Sequence, residues 1–401
     1  MTDAARKAIK AHRKGLVRFL RELVAIPSES GREKQVIDRI GSEMVDARFE
    51  SIKVDGMGNI LGMTGRGRHL IAMDAHVDTV GTGDRGRWKW DPYLGKEEKG
   101  KIYGRGTVDQ KAGMASLIYG ARLINDLELF DDYRLLIVGS VQEEDCDGLC
   151  WRHLIEREGI RPSCVVITEP TGLNIHRGHR GRMEIDVTTH GVAAHGSMPS
   201  RGVNAVYKMT RVIREVEKLN EALEEDPFLG KGTVAVTDIQ CSTPSRCAIP
   251  DRCTITLDRR LSGKADRDSA IEEVREAVRN SGVEAHVEIP LYHTPGYLGT
   301  FMETERYFPT WTLPLGHILL EAACQTSRFC FSREPQVGKW TFSTNGTATM
   351  GIHGIPTIGF GPGDERLAHT TDEHVAVRHL VLAALWYAHF PAIYGRMKGD
   401  N

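Results

Sequence analysis

His76 and Asp78 end the apolar run LIAMDAHVD. Asp109 lies in GRGTVDQKAG, just ahead of a helical stretch. Glu143 and Glu144 end LLIVGSVQEE, Glu169 falls at the end of CVVITEP, and His369 lies in the loop after TIGFGPG. In open parallel sheets ligands gather at the carboxyl ends of the strands, and these residues sit there. Two imidazoles and several carboxylates at one edge suit zinc or a similar divalent ion. They outnumber the needs of one tetrahedral ion. A carboxylate can bridge two ions about 3.5–4 Å apart, the arrangement of two-metal hydrolases. Singly, each motif has a plainer explanation. A lone HxD is weak, an adjacent Glu pair is usually a solvated loop, and a lone loop His is usually a surface one. Their recurrence at equivalent strand ends is what argues for a site, because buried strands ending in acids need partners.

The elements that must position these groups alternate. Ile9, Leu16, Leu20 and Leu23 give a first helix, and a second runs from about residue 31 to 49. SIKVD and NILGMTG read as strands around Asp55-Gly56 and Gly58-Asn59. Apolar strands at HLIAMDAHVDTV, YRLLIVGSVQEED and SCVVITEP alternate with helices at KAGMASLIYGARLIND and around Trp151 to Arg157. That order predicts α/β architecture with a mixed, mostly parallel and buried sheet. After Pro170 the pattern changes to strand, helix, two strands, helix, strand. This βαββαβ order resembles a ferredoxin-like α+β sandwich. From His317 the apolar α/β character returns. The expected organisation is one α/β domain in two parts, residues 1–178 and 295–401, interrupted by an insert at 179–294.

Composition removes several classes. Lys plus Arg total 52 against 54 Asp plus Glu, a formal net charge of −2 over 401 residues. A protein living on nucleic-acid phosphates needs a strong basic field, so no nucleic-acid partner is expected. No apolar run approaches the roughly 20 residues that span a bilayer, so no membrane partner is expected either. The basic start, with Asp3 and Glu22 and no apolar stretch, does not read as a secretory signal. Eight scattered cysteines without a CxxC pair read as free thiols in a reducing, cytoplasmic setting. Cys146 and Cys150 follow the Glu pair, but a nucleophilic role would need a nearby His and a depressed pKa. The GxG stretches fit no dinucleotide fingerprint and are expected to shape loops.

Taken together, His76-x-Asp78, GRGTVDQKAG, Glu143-Glu144, ITEPT and GPG…AHTTDE resemble the M20 family of metallopeptidases and deacylases over nearly the whole chain. Within it the chain is similar to a hydrolase branch named for a link to selenium metabolism. The resemblance implies two divalent metal ions per chain, with Zn2+ foremost and Co2+ or Mn2+ as alternatives. It implies that Asp109 bridges them, that His76 and Glu169 complete one site, and that Glu144 and His369 complete the other. Asp78 would orient His76, and Glu143 would be the general base and acid. The peptide Asp109-Gln110 would be cis. His195, in GVAAHGSMPSRGVNA, would donate to the oxyanion in the opposite subunit of a homodimer formed through the lid. Arg260 would bind a substrate carboxylate through its bidentate fork.

Two departures bear on the substrate. Cys247 stands in CAIPD where relatives commonly have Asn. Asn345 stands where relatives often have Asp, a charge used there for substrate recognition or for support of a pocket wall, and is taken as a candidate substrate contact. The implied function is a binuclear metal-dependent hydrolase cleaving an amide bond in a small N-acyl amino acid or short peptide. The alternatives are a dipeptidase or aminopeptidase, or an inactive small-molecule-binding relative. A zinc aminopeptidase of the M28 type shares the ligand order, but the insert favours M20.

Overall fold

The apolar runs become strands at His69–His76, Tyr133–Ser140 and Cys164–Ile167 in a computed structural model that describes residues 2–399. These three and Thr357–Gly359 lie parallel at the centre of a sheet. Every residue of Cys164–Ile167 and Thr357–Gly359 is buried. Strands covered on both faces read as unbroken apolar runs rather than alternating ones, which is why these segments stand out in the sequence. Outside the centre the sheet turns antiparallel, except that Val337–Trp340 pairs parallel with Ile175–His179. On one side Ile60–Thr64 and Ser51–Val54 follow, and on the other Ile175–His179 and Trp311–Thr312. The hairpin between the first two is set by Asp55. Its Oδ1 accepts from the amides of Met57, Gly58 and Asn59 at 2.9, 2.8 and 2.9 Å, the local turn chemistry expected of Asp before Gly.

Helices cover this sheet. They are α1 (Thr2–Ala25), α2 (Lys34–Asp46), α3 (Lys111–Leu127), α4 (Leu149–Glu156), α7 (Ile318–Phe331) and α8 (Val377–Gly399), with α5 (Ala205–Ala222) and α6 (Arg267–Asn280) in the insert. α3 packs on α8 and α1, and α8 also packs on α7. α8 is apolar on nearly every side and is buried accordingly. Its Trp386, Phe390 and Tyr394, four residues apart, stack in sequence from Phe360, with centroids 4.1, 4.7 and 5.8 Å apart. Among the described residues no helix is long and apolar enough to cross a membrane.

The insert is an α+β unit with its own core. Its antiparallel sheet runs Thr233–Ser242, Arg252–Leu261, Gly181–His190, Ala285–Glu288. That is the ferredoxin-like order. Residues of Arg252–Leu261 alternate in burial, one face packing under α5 (Ala205–Ala222) and α6 (Arg267–Asn280). Asn204 caps α5, and Asp266 with Ser269 forms a capping box on α6. Tyr307–Phe308 also pairs with Gly181–His190, so the sheet gains an edge from chain beyond residue 294. Two-residue strands carry no periodicity, so the sequence did not announce this one.

The sheet edge that carries the polar residues is tightly built. A Cβ added at Gly361 would stand 2.1 Å from the main-chain oxygen of Thr168 and 2.2 Å from that of Glu169. Backbone cannot give way there. Gly361→Ala is therefore expected to lower the melting temperature by several degrees. Gly395→Ala, where nothing lies within 4 Å, should hold or raise it, since Ala replaces Gly inside a helix at a gain of about 0.5–1 kcal/mol. Calorimetry on both variants checks this, and equal melting temperatures would show slack at Gly361.

Candidate active site

Parallel strands bring their carboxyl ends to one edge. His76 is the last residue of its strand and pairs with Ser140, the last residue of its neighbour. Three and four residues further on come Glu143 and Glu144. Glu169 follows Ile167 on the other side, and the chain leaving Gly359 leads to His369. Asp109 arrives from the loop just before α3. The expected ligand set is thereby assembled from five separate segments.

Asp109 is at its centre. Its Oδ1 lies 2.8 Å from His76 Nε2, and its Oδ2 lies 3.1 Å from His369 Nε2. His369 Nε2 is also 3.0 Å from Glu144 Oε2, and His76 Nε2 is 3.4 Å from Glu169 Oε1. Glu143 stands back, its Oε2 4.0 Å from His76 Nε2. Donor atoms of His76, Glu143 and Glu169 lie within 4.8 Å of one another, as do those of His76, Asp109 and Glu144. His369 has a φ of 61°, a left-handed conformation uncommon outside glycine, which aims its ring from an exposed loop.

Other buried groups hold this set in place. The Asp78 carboxylate accepts from the amides of Glu143 and Glu144 at 3.2 and 3.1 Å and from Ser30 Oγ at 2.7 Å. His76 Nδ1 is 3.0 Å from the main-chain oxygen of Asp78 and 3.5 Å from its carboxylate. Asp78 thus orients His76 chiefly through its backbone, while its carboxylate anchors the Glu pair. Glu373 binds Arg105 at 2.6 Å and accepts from the amides of Val108 and Asp109 at 2.8 and 3.2 Å. Thr168 donates to Gln110 at 2.6 Å, tying the Asp109 and Glu169 loops together. The Asp109–Gln110 peptide is cis, as the resemblance implied. Of these supports the sequence pointed to Asp78 and not to Glu373, Arg105, Thr168 or Gln110. Glu373 left only a trace, in the TTDE run.

The electrostatics are lopsided. Burial pushes Glu144 up to about 7 and Glu169 up to about 8, and raises Glu143 well above the carboxylate range. Burial would raise Asp109 too, but hydrogen bonds from His369 and His76 outweigh it and hold it low. Burial opposes charge on His76, yet Glu169, Asp109 and Asp78 overcome it and raise its basicity. The bonds to Asp109 and Glu144 bring His369 up to about 10. Glu143 Oε1 and Glu169 Oε2 are buried with no hydrogen-bond partner. A buried carboxylate cluster with orphan oxygens, short of positive charge, fits divalent cations by the chemistry of its donors.

Asp109, Glu143, Glu144, Glu169 and His369 line a cleft of about 320 Å³ together with Asp147, Arg182, Arg260 and Ser343. Arg260 reaches the cleft, but its guanidinium is held bidentate by Asp258 at 2.7 and 2.9 Å. Arg182, which the sequence did not single out, carries buried Nε and Nη2 groups without hydrogen-bond partners. It stacks over Phe308 at 4.5 Å and lies 3.6 Å from Asp147. His195 is not brought to this cleft. It sits exposed on the insert, 2.7 Å from Ser197 Oγ. Asn345 is not brought to it either, which corrects the expectation that it meets substrate. It is 1% exposed and bonds inward to Asp74, Ser140 and the amide of Gly148 at 2.8, 3.0 and 2.9 Å. Asp74 is buried within its strand, and Asn345 is the partner that burial demands. Cys247 is exposed. Cys146 and Cys150 are buried with their thiols pushed up, which leaves them unreactive.

Comparison with known proteins agrees with this geometry. The chain is 48% identical over 382 residues, 95% of each sequence, to the uncharacterized protein YgeY of Escherichia coli K12. Its fold matches that of Sso-CP2, an M20 family metallo-carboxypeptidase of Sulfolobus solfataricus, at 15% identity and a TM-score of 0.74, covering 95% of this chain and 98% of that one. It also matches the YXEP protein of Bacillus subtilis, described as a dinuclear metal binding peptidase, at 15% identity and a TM-score of 0.68, covering 97% and 99%. The family match runs over residues 72–392, from the strand that ends in His76 to the helix that follows His369, and the chain belongs to peptidase family M20/M25/M40.

Proposed function

We propose that this M20 chain hydrolyses an amide bond in a small N-acyl amino acid or short peptide, with two divalent ions held in the cleft. The observation that carries this reading is Asp109, whose two oxygens face two different imidazoles at 2.8 and 3.1 Å. Asp109 joins one site with His76 and Glu169 to a second with Glu144 and His369. The fold shared with YXEP supports the two-ion reading. Such donor sets accept zinc, cobalt or manganese. Bound there, the ions would acidify water and polarise the amide carbonyl. Glu143 has a free carboxylate oxygen and stands slightly back from the set. It takes a proton from the attacking water and returns it to the leaving nitrogen. Arg182 and Arg260 present N–H donors across the cleft to substrate oxygens.

The insert serves as a lid and, in this reading, as the interface of a homodimer. Strand Thr233–Ser242 lies at the sheet edge with most side chains exposed. His195 lies outside its own cleft and serves the partner's as an oxyanion donor.

Three outcomes test this account. Glu143→Gln should keep its ions and lose roughly 10²–10⁴ in turnover, whereas Glu144→Gln should bind one ion more weakly. Elemental analysis alongside assays on an N-acyl amino acid and dipeptide panel decides; equal metal loss from both variants would reverse the assignment within the pair. Next, co-refolding Glu143→Ala with His195→Ala subunits should restore roughly a quarter of wild-type activity, from the half of two-fold dimers that are mixed. No recovery from verified mixed dimers would place His195 in its own subunit. The last outcome concerns pH. Glu144 and Glu169 titrate near 7 and 8 when folded, against about 4.3 unfolded. Between about pH 5 and 8 the metal-free folded state holds more protons, so its stability falls as pH rises. Above about pH 6.5 the raised His369 adds to the fall with the same sign. Excess divalent ion fixes the ionised carboxylates and should flatten the slope. Melting temperatures across this range, with chelator and with metal, would refute the coupling if the slopes matched.

A further inference from the structure

A second cavity, of about 410 Å³, shares no lining residue with the cleft. It opens between α1, the turn at Gly172 and Leu173, the end of α7 and the first turns of α8. Arg6, Lys10, Arg333, Arg378 and His379 line it, and no acidic residue does. Arg6 donates to the main-chain oxygen of Cys330 at 2.9 Å, and Arg333 to that of Leu173 at 3.1 Å. Each guanidinium is held by a main-chain oxygen, and neither pairs with a carboxylate among the described residues. Lys10 and Arg378 make no hydrogen bond or ion pair among the described residues. Arg378 is in the first turn of α8, where the helix dipole disfavours a cation unless an anion joins it. Burial, then the charges of Arg378 and Arg333, lower the basicity of His379. The acid acting on His379, Asp364, is itself held by Arg366 at 2.9 and 2.6 Å. The floor is apolar, from Ile9, Phe331, Leu382 and Leu385.

We propose that this cavity is a second ligand site, for a small organic anion whose phosphate or carboxylate meets the cationic rim while an apolar body covers the floor. The occupant also braces the catalytic loops. The Gly172 amide bonds the Gly363 oxygen at 2.8 Å, and the Gly363 amide bonds His379 Nδ1 at 3.2 Å. Gly172 lies just after Glu169, and Gly363 lies in the loop leading to His369.

Phenyl phosphate is the probe, titrated by calorimetry into the metal-loaded full chain, with inorganic phosphate and benzoate alongside. Saturable binding is expected, weakened about tenfold or more in Arg333→Gln/Arg378→Gln, where two charge-assisted contacts are lost. The double variant should keep the wild-type melting temperature and activity without the probe. Phenyl phosphate should also slow stripping of metal by chelator in the wild type and not in the double variant. Binding that survives the double substitution but disappears on metal removal would place the anion in the cleft and overturn the proposal. So would an absence of saturable binding up to about 10 mM, the weak end of specific affinities. Inorganic phosphate binding as tightly as phenyl phosphate would refute the role of the apolar floor, and an unchanged stripping rate would refute the bracing. Benzoate and phenyl phosphate together show which anionic head the rim prefers.

Discussion

Packing Asp109, Glu143, Glu144 and Glu169 into one buried corner with only two imidazoles for company is the constraint on which this structure depends. Ionised carboxylates out of water repel one another and lose solvation. Among the described residues no lysine or arginine forms an ion pair with these four carboxylates; their partners are His76 and His369. Arg105, buried in the supporting set, is given to Glu373. Positive charge is therefore left to be supplied from outside, and the donors are held in readiness for it.

Holding them requires an unusual density of internal bonds. Asp78 fixes the amides of the Glu pair, Glu373 fixes the Asp109 loop, and Thr168 with Gln110 ties that loop to Glu169. These bonds tie strand ends and the loop before α3 to one another across the sheet edge. The rigid part beneath is the parallel sheet with its aromatic stack from Phe360 to Tyr394. The insert stands differently. It has its own core and meets the cleft through Arg182 and Arg260, whose partners, Asp147 and Asp258, are also charged. Ionic contacts of this kind can exchange for a substrate's oxygens, whereas an apolar seam could not.

Much of this was legible from residues alone. Apolar runs ending in acids mark parallel strands, because burial on both faces removes polar alternation and leaves polarity only at the ends. For that reason His76, Asp78, Asp109, Glu143, Glu144, Glu169 and His369 could be placed on one edge before any coordinates. The insert was legible too, since strand alternation and helical periodicity are local signals and their order specifies the ferredoxin-like arrangement. Family resemblance added which of the acids belong together.

Tertiary structure decided what no local pattern encodes. Asn345 reads as a substrate contact by its place in a motif. Its side chain instead satisfies Asp74, a partner 271 residues away. Glu373 and Arg105 are 268 residues apart, and nothing near either one predicts the other. Arg182 looks like any strand arginine until the fold lays it over Phe308 and strips the water from two of its N–H groups. The strand at Tyr307–Phe308 is too short for periodicity and exists only because the edge of Gly181–His190 was open. Sequence determines these features only through the whole chain's packing. Local periodicity and end polarity report on the solvent's side of the problem, while the pairing of buried charges depends on which distant segments share a corner.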